Sequence, residues 1–412
     1  MPSYAAFLGH QPHISIAELA AVVPGFTLQK RVEKKVAIFE SPEPLKPEIL
    51  STLGGTVVLA EQLSDNVLDI SNLPKVLVQA LEKTRGKKVT FGLRIIGLPP
   101  KTVRNLYRKC KDTLRHEGRA NRYVGTDRKP AATVLLHDVG LLNGSRGCEL
   151  TIIAGEELFW VGRTIAAQDV DSYTKRDMEK PVRDTTVGLL PPKLAQIMLN
   201  FGLWLARENG CKGAFKKTPQ LLVLDPFCGT GVIPMEALLR GWPVQASDKV
   251  MKGVNGCSKN LDWLRKEEKI AKKDVPSAVW KQDALKPFDL KNPPDVIVTE
   301  TSLGTPLKER PTQKDAMKEK TENEALQEGF LRNIAATLPG IPIVCTWPVW
   351  RTKTKPVFLE RIWKVLGELP YEVVLPVEPE DPARPTLFYR REDQFVGREI
   401  VLLKPKKAEE KK

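Results

Sequence analysis

From residue 221 to residue 403, short apolar runs alternate with segments of helical apolar spacing. The runs at 221–224, 243–247, 278–281, 296–299, 341–346, 371–377 and 398–403 read as strands. Between them the spacing predicts helices near 232–240, 250–265, 322–337 and 356–367. Four consecutive apolar residues at 221–224 suit a parallel strand covered on both faces. The alternation is that of a doubly wound parallel sheet. The final two strands, joined across 378–394, read as an antiparallel hairpin, whereas a plain nicotinamide-dinucleotide domain keeps its sheet parallel.

The first 168 residues have a different rhythm. Residues 1–63 read strand, helix, strand, strand, helix, strand, with strands at 4–8, 35–39 and 56–63 and helices at 15–23, capped by Ser15, and 43–53. That is a small α+β domain of the split βαβ, ferredoxin-like kind. Residues 64–168 form a second α/β unit, with a helix at 73–83, a strand at 89–96 and strands at 133–136, 149–154 and 157–162. A polar linker at 169–187 precedes the domain expected over 188–404, and the Lys/Glu tail at 405–412 is expected to be disordered.

Pro100 opens a basic helix running to about residue 118. Arg104, Arg108, Arg115, Arg119 and Arg122 follow at three-, four- and seven-residue steps, so they are expected to share one face. Val103, Leu106, Cys110 and Leu114 are expected to turn inward. Arg128 and Lys129 follow in the next loop. A one-sided run of arginines fits contacts to a phosphate backbone as well as it fits a solvated face. No glycine-aromatic motif for base readout accompanies it.

The candidate chemistry centres on Leu221–Met235, LLVLDPFCGTGVIPM. Asp225 ends the first strand of the second half. Pro226, Phe227 and Cys228 follow, and Gly229 and Gly231 let the backbone turn tightly and approach a ligand. Such a turn fits nicotinamide dinucleotides, flavins and S-adenosylmethionine. The third glycine of the dinucleotide fingerprint is Pro234 here, so that fingerprint is incomplete. Asp248 ends the second strand, where an acid can accept both ribose hydroxyls of an adenosine. Asp283 and Ala284 end the third, near the place of an adenine amine. Thr299 and Glu300 end the fourth.

The chain has 412 residues, too many for one core, and a net charge of +14, which favours a polyanionic partner. No apolar run reaches the roughly 20 residues of a membrane span. Met1-Pro-Ser-Tyr leads straight into a strand-like segment, so no leader is expected. The six cysteines form no CxxC pair, so no metal site or disulfide framework is suggested, and a reducing cytoplasm is the simplest setting. None of the four histidines lies beyond residue 137, so the second half has no histidine of its own for acid–base work or metal binding.

Asp225-Pro-Phe-Cys-Gly-Thr-Gly, preceded by Gly188-Leu-Leu-Pro-Pro-Lys-Leu-Ala, resembles the THUMP-domain RNA methyltransferases, and more narrowly the branch that methylates guanine N2 in tRNA. The resemblance is strong over 168–290 and at 390–403 and looser over the first 160 residues. It implies a seven-stranded, Rossmann-like class I methyltransferase domain behind a THUMP-like RNA-binding domain. It also implies S-adenosylmethionine bound by residues 225–229, Gly231, Asp248, Asp283, Ala284 and Thr299, with tRNA as partner and a cytoplasmic, monomeric protein. The linker residues Asp169, Tyr173, Arg176, Arg183 and Asp184 become candidates for holding cofactor or base. In amine methyltransferases the fourth strand is followed by Asp or Asn, two prolines and an aromatic. Here Glu300, Thr301, Ser302 and Leu303 stand in those places, so Glu300, Thr301 and Ser302 are the candidate catalytic residues. Trp347 or Trp350 is a candidate to stack on a base in place of the missing aromatic, the alternative being core packing. Two further readings remain open: methylation of another base of tRNA, rRNA or DNA, and an inactive RNA-binding protein that keeps the fold.

Overall fold

The computed structural model describes residues 1–63, 69–86, 88–184 and 189–406. The chain packs into two compact units, one of residues 1–12 and 23–174, the other of residues 13–22 and 175–412.

In chain order the first segment forms β1 (Ser3–Leu8), α1 (Pro12–Val22), β2 (Thr27–Val32), β3 (Val36–Glu40), β4 (Thr56–Gln62), α2 (Leu73–Ala80), β5 (Lys88–Ile96), α3 (Pro100–His116), β6 (Ala120–Val124), α4 (Thr133–Asp138), β7 (Gly147–Ala154), β8 (Phe159–Ala167) and α5 (Val170–Thr174). The strands make one eight-stranded sheet in the order β2-β3-β1-β4-β8-β7-β5-β6. The stretches expected as separate domains, 1–63 and 64–168, both contribute to it, because β4 pairs antiparallel with β8.

Three expectations for this segment are corrected. Residues 133–136 form a helix, not a strand, and bury only Leu136; a run this short does not discriminate the two. The helix expected at 43–53 is a 3-10 turn over Pro47–Thr52, opened by its proline. The first helix starts at Pro12, so Ser15 lies inside it, buried. Nearly all of that helix, residues 13–22, belongs to the second unit.

The second unit continues with α6 (Pro192–Glu208), β9 (Val223–Asp225), α7 (Val232–Leu239), β10 (Val244–Asp248), α8 (Met251–Glu267), β11 (Ser277–Lys281), β12 (Val296–Glu300), α9 (Gln313–Thr337), β13 (Ile343–Arg351), β14 (Pro356–Val357), α10 (Arg361–Glu368), β15 (Tyr371–Val373), β16 (Leu387–Tyr389) and β17 (Val396–Pro405). The main path is β11-β10-β9-β12-β13-β17-β15. Strands β9 to β13 are parallel, whereas β17 runs antiparallel to both β13 and β15. The path thus holds seven strands of a Rossmann-like sheet with β17 reversed, and β14 and β16 pair off it to make nine.

Alternation across the strands explains the unbroken apolar runs. Val223, Val296, Val298, Val344, Ile400 and Leu402 face a core with α1, α6, α7 and α8. Their neighbours Leu224, Ile297, Ile343, Cys345, Val401 and Leu403 face a second core with α9 and α10. The expected helix at 356–367 begins only at Arg361, because residues 356–357 pair with β13. Residues 407–412 of the expected tail lie outside the described residues, as do linker residues 185–187 and Gly188.

Candidate active site

Parallel pairing brings the C-terminal ends of β9, β10, β11 and β12 to one edge, at the point where the strand order reverses between β9 and β12. A cavity of about 400 Å³ opens there. Asp225, Pro226, Phe227, Cys228 and Gly229 line it, together with Asp248, Asp283, Ala284, Glu300, Thr301 and Ser302. The strand-end residues expected to meet therefore do meet. Gly231 and Thr299 stand just behind this lining.

The glycine turn is held from three directions. The Asp248 carboxylate accepts the Gly229 amide at 3.0 Å and the Val250 amide at 2.8 Å. Gly231 N–H donates to the Cys228 carbonyl at 2.7 Å, and Gly231, at φ 86°, caps α7. A Cβ on Gly231 would stand 2.6 Å from Cys257 Sγ, so only glycine fits between α7 and α8. At Gly229, also of positive φ, a Cβ would meet nothing within 4 Å, so it would project into open space. The Asn260 amide group bonds both the N–H and C=O of Val182 and the Thr230 carbonyl, and so ties residue 182 to the turn.

Asp225 is 2% exposed and its Oδ1 accepts the Thr299 hydroxyl at 2.6 Å and the Phe227 amide at 3.3 Å. Burial pushes its carboxyl up to about 7, outweighing those hydrogen bonds; the nearby Asp248 and Glu300 push the same way. A carboxyl raised on folding keeps its proton in the folded chain after the unfolded chain has lost it. Its contribution to stability is therefore complete below about pH 4 and is lost as pH rises through about 7. Asp225→Asn is expected to remove this slope, so that the ligand-free variant melts about 3 °C higher than the parent at pH 8 and no higher at pH 4. Thermal melts at the two pH values check it; a difference that does not change with pH would refute the assignment.

At the fourth strand, Glu300 lines the cavity and pairs with Arg398 of β17. Thr301 has a different role from the one expected. It is 1% exposed, and its hydroxyl donates to the Thr346 carbonyl and accepts Gln327 Nε2 at 2.7 Å, which commits it to the packing of α9. Ser302 is exposed and its Oγ accepts the Gly304 amide at 3.3 Å. Trp347 and Trp350 lie within β13, both fully buried in the second core, and Trp347 meets Trp363 edge-on. Neither is available to stack on a base.

No family model matches the chain, and no curated protein matches it. Among solved structures it is similar to TrmN from Thermus thermophilus, with 16% identity over 98% of this chain and 100% of that one and a TM-score of 0.50. The chain shares the fold of TrmN. It is also similar to a possible methylase from Clostridium difficile 630, at 9% identity over 99% of each chain and a TM-score of 0.42. A third similar structure is magnesium protoporphyrin IX methyltransferase from Synechocystis PCC 6803 with bound SAM, at 16% identity, 58% of this chain, 98% of that one and a TM-score of 0.31.

Several residues that line this cavity are not among those expected from the sequence. Val250 and Leu285 each stand two residues beyond a strand-end acid and remain 51% and 40% exposed at the cavity. An apolar residue placed just after each acid is a signal the sequence did contain. Leu189, Leu190, Leu303 and Leu326 also line the cavity. Of the linker candidates, Arg183 and Asp184 line the cavity, and Asp184 pairs with Lys252 at 2.7 Å. Arg176 is instead buried against Glu236 at 2.7 Å, while Asp169 and Tyr173 belong to the first unit.

The basic residues of the first unit divide into two groups. Arg104 pairs with Asp127, and Arg115 with Asp112 at 2.9 Å. Arg119 lies beyond the end of α3 and donates to the carbonyls of Leu81, Thr84 and Gly86, so it holds the chain after α2. Arg122 sits on β6, and so the single helical face expected for all five arginines reduces to Arg104, Arg108 and Arg115. Arg108, Arg122, Arg128 and Lys129 are exposed and form no ion pair among the described residues. The loop carrying the last two is fixed by Thr126 Oγ1, which accepts the amides of Arg128 and Lys129 at 3.2 and 3.0 Å.

Proposed function

We propose that this protein is an S-adenosylmethionine-dependent RNA methyltransferase acting on the exocyclic N2 of a guanine in tRNA. The observation that carries the reading is one cavity lined by the glycine turn, two strand-end acids and the Glu300 carboxylate. Its volume, about 400 Å³, suits a nucleoside-sized ligand. In this reading Asp248 accepts the ribose hydroxyls, Asp283 the adenine amine, and Val250 and Leu285 cover the adenine faces. The TrmN fold supports the choice of donor over a nicotinamide or flavin.

S-adenosylmethionine supplies a methyl group already activated on a sulfonium, so the protein's task is alignment and exclusion of water. The acceptor amine is harder, because its lone pair is delocalised into the guanine ring. Glu300, with a backbone carbonyl of the following loop, accepts the two amine hydrogens and frees that lone pair. Bound there, S-adenosylmethionine would supply the methyl group and its sulfur would leave as a neutral thioether, while Glu300 and that carbonyl would hold the acceptor amine in line until its proton passes to solvent as the site opens. Leu189, Leu303 and Leu326 hold the base in place of the aromatic that the resembled amine-methyltransferase motif would carry.

Incubation with labelled S-adenosylmethionine and bulk tRNA, followed by nucleoside analysis, tests the proposal. Label in N2-methylguanosine is expected. Label in another nucleoside would move the acceptor; tRNA binding without label would leave an RNA-binding protein that keeps the fold.

The exposed cations of the first unit are proposed to hold the RNA. Reversing Arg108, Arg122 and Arg128 to Glu together is expected to weaken tRNA binding at least tenfold and to flatten the salt dependence by roughly 2 in slope. Filter binding across salt concentrations measures both, and an unchanged slope would rule these residues out. Arg119→Ala serves as contrast: it is expected to lower the melting temperature, since three backbone carbonyls lose their donor.

A further inference from the structure

Arg398 is an unusual residue for a central strand. Its side chain is 1% exposed, on β17 opposite Pro348 of β13. Its guanidinium reaches in three directions: Nε donates to Glu300 Oε1 at 2.5 Å, Nη1 to Gln394 Oε1 at 3.1 Å and Nη2 to the Leu189 carbonyl at 3.4 Å. Tyr389 lies under it, with the ring centre 5.9 Å away. Glu300 and Leu189 both line the cavity. One buried cation thus joins two residues of the cavity lining, the strand-end acid and Leu189.

The pair is asymmetric. Glu300 is 14% exposed at the side chain and its second oxygen has no hydrogen-bond partner among the described residues. A buried ion pair contributes little net stability over apolar residues of the same volume, because desolvation offsets the attraction. A cation at this depth is better explained by the orientation it imposes. A guanidinium suits that role and an ammonium does not, because its planar fork fixes three partners at set angles.

We propose that Arg398 is the positioning residue for Glu300. It anchors one carboxylate oxygen and so presents the other to the acceptor amine. Glu300 then works as a hydrogen-bond acceptor of fixed orientation. The inference rests on the role of Glu300 proposed above.

The test is a double-mutant cycle with Arg398→Met, Arg398→Lys and Glu300→Gln in the full-length protein. It is read as single-turnover methyl transfer to tRNA, KM for tRNA, cofactor affinity and thermal melts. Arg398→Met is expected to lower kcat about a hundredfold, with KM and cofactor affinity within about twofold. Arg398→Lys is expected to recover part of the rate. In the Glu300→Gln background, Arg398→Met should cost less than about a further twofold, because its effect passes through the acid already lost. Full kcat in Arg398→Met, or effects that multiply in the double variant, would overturn the proposal. Should Arg398→Met fail to fold, Arg398→Lys decides alone: a rate equal to the parent's would show that the three-way fork is not needed. Full activity in Glu300→Gln would instead overturn the role of Glu300 itself.

Discussion

Glu300→Ala is expected to lower methyl transfer at least a hundredfold while leaving cofactor affinity within about twofold. The two halves of this expectation have separate causes. In the proposed reading Glu300, which lines the cavity at the end of β12, is the hydrogen-bond acceptor, and removal of one preorganised hydrogen-bonding partner of a transition state typically costs about 3–4 kcal/mol. The residues assigned to the cofactor depend on other contacts: Asp248 is fixed by the amides of Gly229 and Val250, and the Asp283 side chain by the Leu285 amide. None of these passes through Glu300. The substitution has a structural cost as well, since it strands Arg398 in a buried position without its carboxylate, at about 3 kcal/mol. Transfer should therefore be measured well below the variant's own melting temperature, alongside a cofactor titration by calorimetry. Glu300→Gln, which keeps the volume, should retain more stability than Glu300→Ala. A fully active Glu300→Ala protein would sink the assignment of the acceptor site. Loss of cofactor binding together with activity would show instead that the substitution disturbs the whole cavity.

How far the site could be read in advance follows from the range of the interactions involved. The strand ends were legible because a short strand-like segment closed by an acid is a local pattern: Leu221 to Asp225, Val244 to Asp248 and Val296 to Glu300 each carry it within five residues. Parallel pairing then places such ends together without further information. Arg398 was not legible as a partner of Glu300, because 98 residues separate them and nothing in a strand marks one arginine for burial. The tryptophans were misplaced for a related reason. The fifth strand continues past Thr346 to Arg351 through Pro348, a residue that argues against a central strand, so Trp347 and Trp350 were expected outside it. In the first unit, the helical spacing of the arginines was correct only as far as the helix ran. Gly118 stops α3, and beyond it Arg119 turns back to cap the carbonyls after α2. Thr301 shows the converse limit: position in a motif suggested chemistry, whereas its hydroxyl is consumed by Thr346 and Gln327.

The two glycines of the turn should respond differently to the same substitution, and the contrast tests whether the turn is a ligand cradle or only a tight corner. Gly231→Ala is expected to destabilise the protein by about 3 kcal/mol. A φ of 86° costs an L-residue about 1–2 kcal/mol, and the new methyl would stand 2.6 Å from Cys257 Sγ and 3.2 Å from its Cα. The Cα is backbone of α8 and cannot move aside as a side chain can, so α7 and α8 must separate. The Cys228 carbonyl bonded to the Gly231 amide moves with them, and cofactor affinity should fall at least tenfold. Gly229→Ala carries a smaller strain, at φ 48° and with nothing within 4 Å of the new methyl, and should cost about 1 kcal/mol. Yet Gly229 lines the cavity and donates its amide to Asp248, so a methyl there stands where a ligand's sugar would approach. Its effect should appear in cofactor affinity, again at least tenfold, with the melting temperature nearly unchanged. Melts without ligand and calorimetric titrations with S-adenosylmethionine separate the two. If Gly229→Ala binds the cofactor as tightly as the parent does, the open space above Gly229 is not where the cofactor lies, and Asp248 loses its proposed role as the ribose acceptor.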